Sequence, residues 1–180
     1  MVKVNVLILG MEGAGKTLLL NRLSADTKVK GKRDAEPLTA DVISTAGVEF
    51  VEVPLGKKDL IVFRELGGCM LPLWTTYYAG CDLLMYVVDV GNPATMAASA
   101  VQLYKMLDDQ ALKEKPTAVI LSKSDQPSVF PRSELDQVFM FPTLRQKRPW
   151  VEVLEASAWT GQGSSDILNF IAAKAGLAAF

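Results

Sequence analysis

Histidine is absent from all 180 residues, which excludes Ser-His and Cys-His nucleophile schemes and any histidine-ligated metal. Cysteine occurs twice, at Cys69 and Cys81, a pair that forms neither a metal-ligand spacing nor a disulfide framework and suits a reducing compartment. Any ion is therefore expected to be held by oxygen. Excess charge of either sign is also missing: the net charge is −1 and the sequence pI about 5.5, so nothing pulls the chain as a whole toward nucleic acid. No apolar run approaches the ~20 residues of a membrane span. The first strand is expected over Val2 to Leu9, which leaves no room for a signal peptide. Position 2 is Val rather than the glycine that myristoylation needs, and the final Ala178-Ala179-Phe180 has no prenylation cysteine. The expectation is a cytoplasmic monomer with no lipid anchor or transmembrane segment of its own, brought to an organelle only by partners.

What is present fits one folded domain over residues 1–180. Apolar residues make up 49% and charged residues 22%, ordinary for a globular α/β protein and wrong for a disordered one. The most informative stretch is Gly10-Met11-Glu12-Gly13-Ala14-Gly15-Lys16-Thr17, which fits G-x-x-x-x-G-K-[ST] and lies between an apolar strand and a helical run opening at Leu18-Leu19-Leu20. Glycines let the backbone curl until successive N–H groups face one point, and the helix adds its positive N-terminal end. A polyphosphate suits that point. Lys16 offers a compact charge for its terminal phosphates, and the Thr17 hydroxyl suits Mg²⁺.

Strand and helix signals alternate along the rest. A helix is expected from Lys16 to Ala25, then a polar connection from Asp26 to Pro37 carrying Lys28, Lys30, Lys32 and Arg33, read as a solvated loop. Strands at Gly47 to Leu55 and Lys58 to Arg64 flank a Gly56-Lys57 turn and form an antiparallel hairpin. Pro72 to Ala79 reads as a short helix. Leu83 to Val90 is an apolar strand, followed by a helix over Thr95 to Leu112, a strand over Thr117 to Leu121, and a helix over Ser133 to Leu144. Trp150 to Leu154 is the last strand and Ser165 to Ala175 the last helix. The fold class is α/β: a P-loop domain with a six-stranded, mostly parallel sheet, one antiparallel edge strand, and helices on both faces. Ligands belong at the carboxyl ends of the strands, where the loops after Leu9, Arg64, Leu121 and Leu154 converge.

Two of those loops explain a base. Asp125, in Ser122-Lys123-Ser124-Asp125, can accept two hydrogen bonds from the ring N–H and exocyclic amino group of guanine. Ala158, in Glu155-Ala156-Ser157-Ala158, can offer its backbone N–H to the guanine carbonyl. Adenine would leave the carboxylate unpaired, a fault worth on the order of 10⁴ in discrimination. The alkyl stem of Lys123 is suited to lie over the base. A P-loop kinase acting on a metabolite is the poorer reading, because no arginine-rich lid is visible and Asp125 with Ala158 would have no use.

In this combination the chain resembles the Arf-like branch of the Ras superfamily of small GTPases. Gly10 to Thr17 resembles the branch's P-loop, Ser44-Thr45-Ala46-Gly47 its switch I threonine and glycine, and Pro72-Leu73-Trp74 the P-L-W of its switch II. Arg64-Glu65-Leu66-Gly67-Gly68 stands where the branch usually has W-D-V-G-G. The resemblance implies a GTP/GDP switch that recruits protein effectors through its switches and interswitch hairpin, served by an exchange factor and a GTPase-activating protein. It implies nucleotide contacts at Gly10, Glu12, Gly13, Ala14, Gly15, Lys16, Thr17, Leu18, Thr45, Gly68, Ser122, Lys123, Asp125, Ser157 and Ala158. Thr17 and Thr45 would ligate Mg²⁺, with Glu65 near the ion, directly or through water, and the Gly68 N–H would touch the γ-phosphate.

Three departures bear on catalysis. Glu65 replaces the usual aspartate, Ser122 the usual asparagine, and Cys69 the glutamine that orients the attacking water, so no catalytic residue is assigned and slow GTP hydrolysis is expected. The alternative is a static nucleotide-binding or non-cycling interaction module. Further readings stay open at this stage: Glu12 as a solvent-facing loop residue, Trp74, Tyr77 and Tyr78 as effector patch or core, Met11 and Met70 as adaptable contacts or gap-fillers, and Asp89 as a local cap.

Overall fold

The computed structural model describes residues 2–29, 45–55, 59–128 and 130–177. The expected Gly56-Lys57 turn, Ser44 and most of the basic connection lie outside them. Among these residues, six strands form one sheet in the order β2-β3-β1-β4-β5-β6: β1 Lys3–Gly10, β2 Val48–Leu55, β3 Asp59–Leu66, β4 Leu83–Asp89, β5 Thr117–Ser122 and β6 Val151–Glu155. Only β2, at the edge, runs antiparallel, pairing from Val48 opposite Leu66 to Leu55 opposite Asp59. The anticipated sheet is thus the observed one.

Alternation along β1 divides the core. Val4, Val6 and Ile8 face the layer holding helix α1 (Lys16–Val29) and helix α5 (Ser164–Lys174). Leu7 and Leu9 face the layer of helix α2 (Pro93–Asp108), helix α3 (Arg132–Val138) and helix α4 (Phe141–Lys147). Both faces are therefore covered, as a parallel sheet requires. Each such buried Leu or Ile contributes about 1.5–3 kcal/mol relative to an exposed one. The chain leaves β1 to build β3 on one side and later returns to build β4 on the other, so the loop after Gly10 sits at the topological switch point.

Three local expectations are corrected. The helix expected over Ser133 to Leu144 is two, because Met140 adopts a left-handed conformation (φ 49°) and Pro142 then occupies the first turn of α4, where its missing N–H costs nothing. The helix expected over Pro72 to Ala79 is a 3-10 segment, Gly68–Tyr77, that begins directly after the Gly67-Gly68 pair. Helix α2 starts earlier and ends earlier than Thr95 to Leu112: the Asn92 side chain accepts from the Ala94 N–H at 3.1 Å and Pro93 takes the first position, while Asp109 ends the helix before a single turn at Gln110–Leu112.

Among the described residues, no helix is long and apolar enough to cross a membrane.

Candidate functional site

The phosphate loop owes its shape to three glycines. Gly10, Gly13 and Gly15 have φ of 158°, 74° and 91°, and a Cβ on Gly10 would lie 2.4 Å from the Val87 carbonyl oxygen, so no other residue fits between β1 and β4 there. Glu12 and Gly13 are exposed, Ala14 is buried, and Leu18 is partly buried on the first turn of α1. Lys16 is buried, its Nζ donating to the carbonyls of Gly10 at 2.9 Å and Met11 at 3.1 Å. Burial lowers its pKa, against the raising influence of Glu65, Cys69 and Glu12. An ammonium held by two neutral carbonyls keeps its charge available to an anion in the loop.

Thr17, Thr45 and Glu65 meet beside this loop although they come from three separate segments. The Thr17 Oγ1 lies 2.7 Å from Glu65 Oε1 and 3.0 Å from the Thr45 Oγ1, and the Thr45 hydroxyl is 3.4 Å from the same carboxylate oxygen. Glu65 is buried and its Oε2 has no hydrogen-bond partner. Burial pushes its pKa up, opposed by the Thr17 hydrogen bond and by Lys16. Two hydroxyls and a carboxylate with an unmet oxygen are hard oxygen donors of the kind Mg²⁺ takes. These residues therefore fit such an ion, including the longer Glu65 side chain. No group of three or more His, Cys, Asp or Glu side chains that could hold a metal occurs among the described residues.

The glycine pair closes the phosphate end. A Cβ on Gly67 would lie 1.9 Å from the Thr45 carbonyl oxygen, and one on Gly68 would lie 2.2 Å from the Glu12 backbone nitrogen. Backbone thus meets backbone at both positions, and only glycine permits it. The Gly67 N–H donates to the Gly47 carbonyl at 3.0 Å, while its own carbonyl accepts from Trp74 Nε1 at 3.2 Å. Trp74 and Tyr78 are buried, so they belong to the core rather than to an effector patch. Tyr77 is half-buried and Leu73 is exposed. Met70 packs partly against the core, and Met11 is partly buried. Cys69 is exposed, with its Sγ 3.7 Å from the Thr45 carbonyl oxygen.

At the other end, Ser122 is buried and its Oγ lies 2.7 Å from the Ala14 carbonyl oxygen and 3.0 Å from that of Val88. One hydroxyl, on the residue that replaces the usual asparagine, thus ties the phosphate loop to the sheet. Ser122→Ala is expected to lower stability by about 1–3 kcal/mol, the range for a buried hydrogen bond whose acceptor is left unmet. Denaturant unfolding checks this, and an unchanged midpoint would show that the hydroxyl braces nothing.

Lys123, at φ 61°, places its Nζ 2.6 Å from Asp89 Oδ2, and its Cε lies 3.9 Å from where a Gly15 Cβ would be, so its stem runs beside the phosphate loop. Asp89 also accepts from the Gly91 N–H at 2.9 Å, the local cap anticipated, while its pairing with Lys123 was not. Asp125 is exposed and has no hydrogen bond or ion pair among the described residues. The Ser124 N–H donates to the Ala156 carbonyl at 3.2 Å, which binds the two base-side loops together. Ser157 is buried and accepts at Oγ from the Thr160 N–H at 3.1 Å.

Sequence reasoning missed Arg22. From α1 its Nε donates to the Ala158 carbonyl at 2.7 Å and its Nη2 to the Trp159 carbonyl at 2.6 Å. Asp26 lies one helical turn further on, 3.8 Å from Nη1. The pair looks in sequence like an ordinary surface i,i+4 bridge, and only the third dimension shows the loop that passes over it.

The comparisons with known proteins agree with this layout. The profile of the ADP-ribosylation factor family matches residues 2–175. Human ADP-ribosylation factor-like protein 16 is 33% identical over 169 residues, covering 93% of this chain and 84% of that protein. ADP-ribosylation factor-like protein 1 of Saccharomyces cerevisiae is 29% identical over 171 residues, covering 94% and 86%. Among solved structures, the Arl6 (BBS3) small GTPase of Trypanosoma brucei, determined with the nucleotide analogue GppNp, superposes with a TM-score of 0.78 at 19% identity and covers 97% of this chain and 98% of its own, a likeness of fold. With its profile match across nearly the whole length, the chain belongs to the ADP-ribosylation factor family, as an Arf-like small GTPase of the GTP-binding regulatory class.

Proposed function

We propose that this protein is a guanine-nucleotide switch that recruits protein effectors in its GTP state and hydrolyses GTP slowly. The observation that carries the reading is the convergence of Thr17, Thr45, Glu65 and the Gly68 backbone on one end of the phosphate loop. A γ-phosphate there would be met by the Gly68 N–H and the Lys16 ammonium. Mg²⁺, held by Thr17 and Thr45 with Glu65 beside them, would neutralise phosphate charge. Because Thr45 and Gly68 lie on different loops, loss of that phosphate removes a shared anchor and loosens both, which is how a local charge change becomes a change of surface. Leu73 and Phe50 are exposed on the 3-10 segment and the interswitch hairpin, where a partner can read that change. An exchange factor and a GTPase-activating protein would set the cycle.

At the base end, Asp125 would accept the two guanine donors and Ala158 N–H would reach the carbonyl, with Lys123, held by Asp89, along the ring. Lys16, Gly13, Ala14, Gly15 and Leu18 would surround the phosphates, and Ser122 and Ser157 would hold the loops that frame the base.

Thermal unfolding tests this. A ligand at 100 times its Kd stabilises by about 2.7 kcal/mol, which for a chain of this size raises Tm by about 5–10 °C. GDP and GTP with Mg²⁺ are expected to give that shift and ATP none; equal protection by ATP would reject guanine selection.

A further inference from the structure

The Arg22 contacts have a geometric consequence for base recognition. All peptide bonds among the described residues are trans, and a trans peptide sets its C=O and the following N–H on opposite sides. Arg22 draws the Ala158 carbonyl toward α1, so the Trp159 N–H faces away from α1. The Ser157 carbonyl accepts from the Gly161 N–H at 2.9 Å, so the Ala158 N–H faces away from that turn. Neither the Ala158 nor the Trp159 N–H has a hydrogen-bond partner among the described residues. Two consecutive donors, one turned outward by the guanidinium and the other by the Ser157–Gly161 bond, form a small site for a carbonyl oxygen.

We propose that Arg22 is a positioning residue for the 6-oxo group of the purine: from the helix that begins in the phosphate loop, it holds the Ala158 carbonyl so that the Trp159 N–H, beside the Ala158 N–H set by the Ser157–Gly161 bond, is aimed at that oxygen. This rests on the guanine reading above, in which Asp125 handles the ring N–H and the 2-amino group. The two halves of base recognition are then separable. Arg22 governs the oxygen side, Asp125 the amino side.

Nucleotide release from the full chain, measured with GDP, 6-thioguanosine diphosphate and inosine diphosphate, tests the division. The thio analogue chiefly weakens the 6-position acceptor and leaves the 2-amino group in place, and the inosine analogue lacks only the 2-amino group. The wild-type protein is expected to release both analogues several-fold faster than GDP. In Arg22→Ala, GDP release rises about tenfold, the scale of one or two weakened hydrogen bonds, the thio penalty falls toward one, and the inosine penalty stays as in wild type. Arg22→Lys, which keeps a charged donor but not the planar fork that spans both loop carbonyls, restores part of the thio penalty.

If both penalties fall together, or neither changes, Arg22 only supports the fold and the proposal is overturned. Should Arg22→Ala fail to fold, Arg22→Lys carries the comparison: a reduced thio penalty supports the assignment and a wild-type penalty overturns it. A wild-type protein that does not distinguish inosine from guanosine diphosphate would remove the guanine reading itself, and this proposal with it.

Discussion

Asp125→Asn is expected to turn a guanine site into a xanthine site, with a loss of GDP affinity of about 10²–10⁴-fold and a gain for xanthosine diphosphate. An amide offers one donor and one acceptor where the carboxylate offers two acceptors, so one guanine donor meets another donor and is left unpaired. Sites that hydrogen-bond a ligand reject a mismatched analogue by on the order of 10⁴. The structure favours a clean result. Asp125 is exposed and is not used by any described neighbour, and its loop is fastened independently by the Ser124 bond to Ala156 and by the Lys123–Asp89 pair. The substitution therefore removes recognition without removing support. Calorimetric titration with the two diphosphates reads the exchange, and retention of GDP affinity would show that Asp125 does not face the base.

The second large effect concerns turnover. Phosphoryl transfer asks the protein for positioned water and stabilised charge rather than covalent chemistry. Charge is provided for by Lys16 and the loop N–H groups. The water is not, because Cys69 is exposed and its thiol hydrogen is directed at the Thr45 carbonyl, and a thiol is a weak donor and a weak acceptor. Small GTPases that keep a glutamine for this task turn over at about 10⁻⁴ s⁻¹ unaided, so a rate at or below that scale is expected here. Cys69→Gln is expected to raise it about tenfold, the equivalent of ~1.4 kcal/mol of restored transition-state stabilisation. Single-turnover measurement with GTP checks both numbers. A wild-type rate well above the unaided scale that disappears in Cys69→Ala would make the thiol a participant and contradict this account.

What could be read from the sequence was whatever depends on local chemistry in a fixed order. The phosphate loop, the edge hairpin and the strand-by-strand alternation each follow from residues within a few positions of one another, and Asp125 and Ala158 could be placed in their loops because each trails a parallel strand. Contacts between distant segments were harder to see. Ser122 looked like a lost asparagine until its hydroxyl was found on Ala14, 108 positions away. Arg22 and Asp26 sit at a spacing that signals an exposed helix face, so nothing in the string marks the loop 136 positions later that the arginine holds. Asp89 showed its cap, which is local, and concealed its pairing with Lys123, which is not. The break at Met140 was missed because apolar periodicity continues through it. Pro142 was the available signal, since a proline there fits a new first turn and not a helix interior.

In the proposed switch, Thr45 and Gly68 are the residues through which the surface would depend on the third phosphate. Hydrogen exchange compares that dependence directly, with the protein held in turn with GDP and with a non-hydrolysable GTP analogue, each with Mg²⁺. Peptides carrying Thr45 to Gly47 and residues 65–80 are expected to exchange more slowly with the triphosphate analogue, while peptides from β4 and β5 remain unchanged. Identical protection in the two states, with both nucleotides bound, would contradict a switch and leave a static nucleotide-binding module in its place.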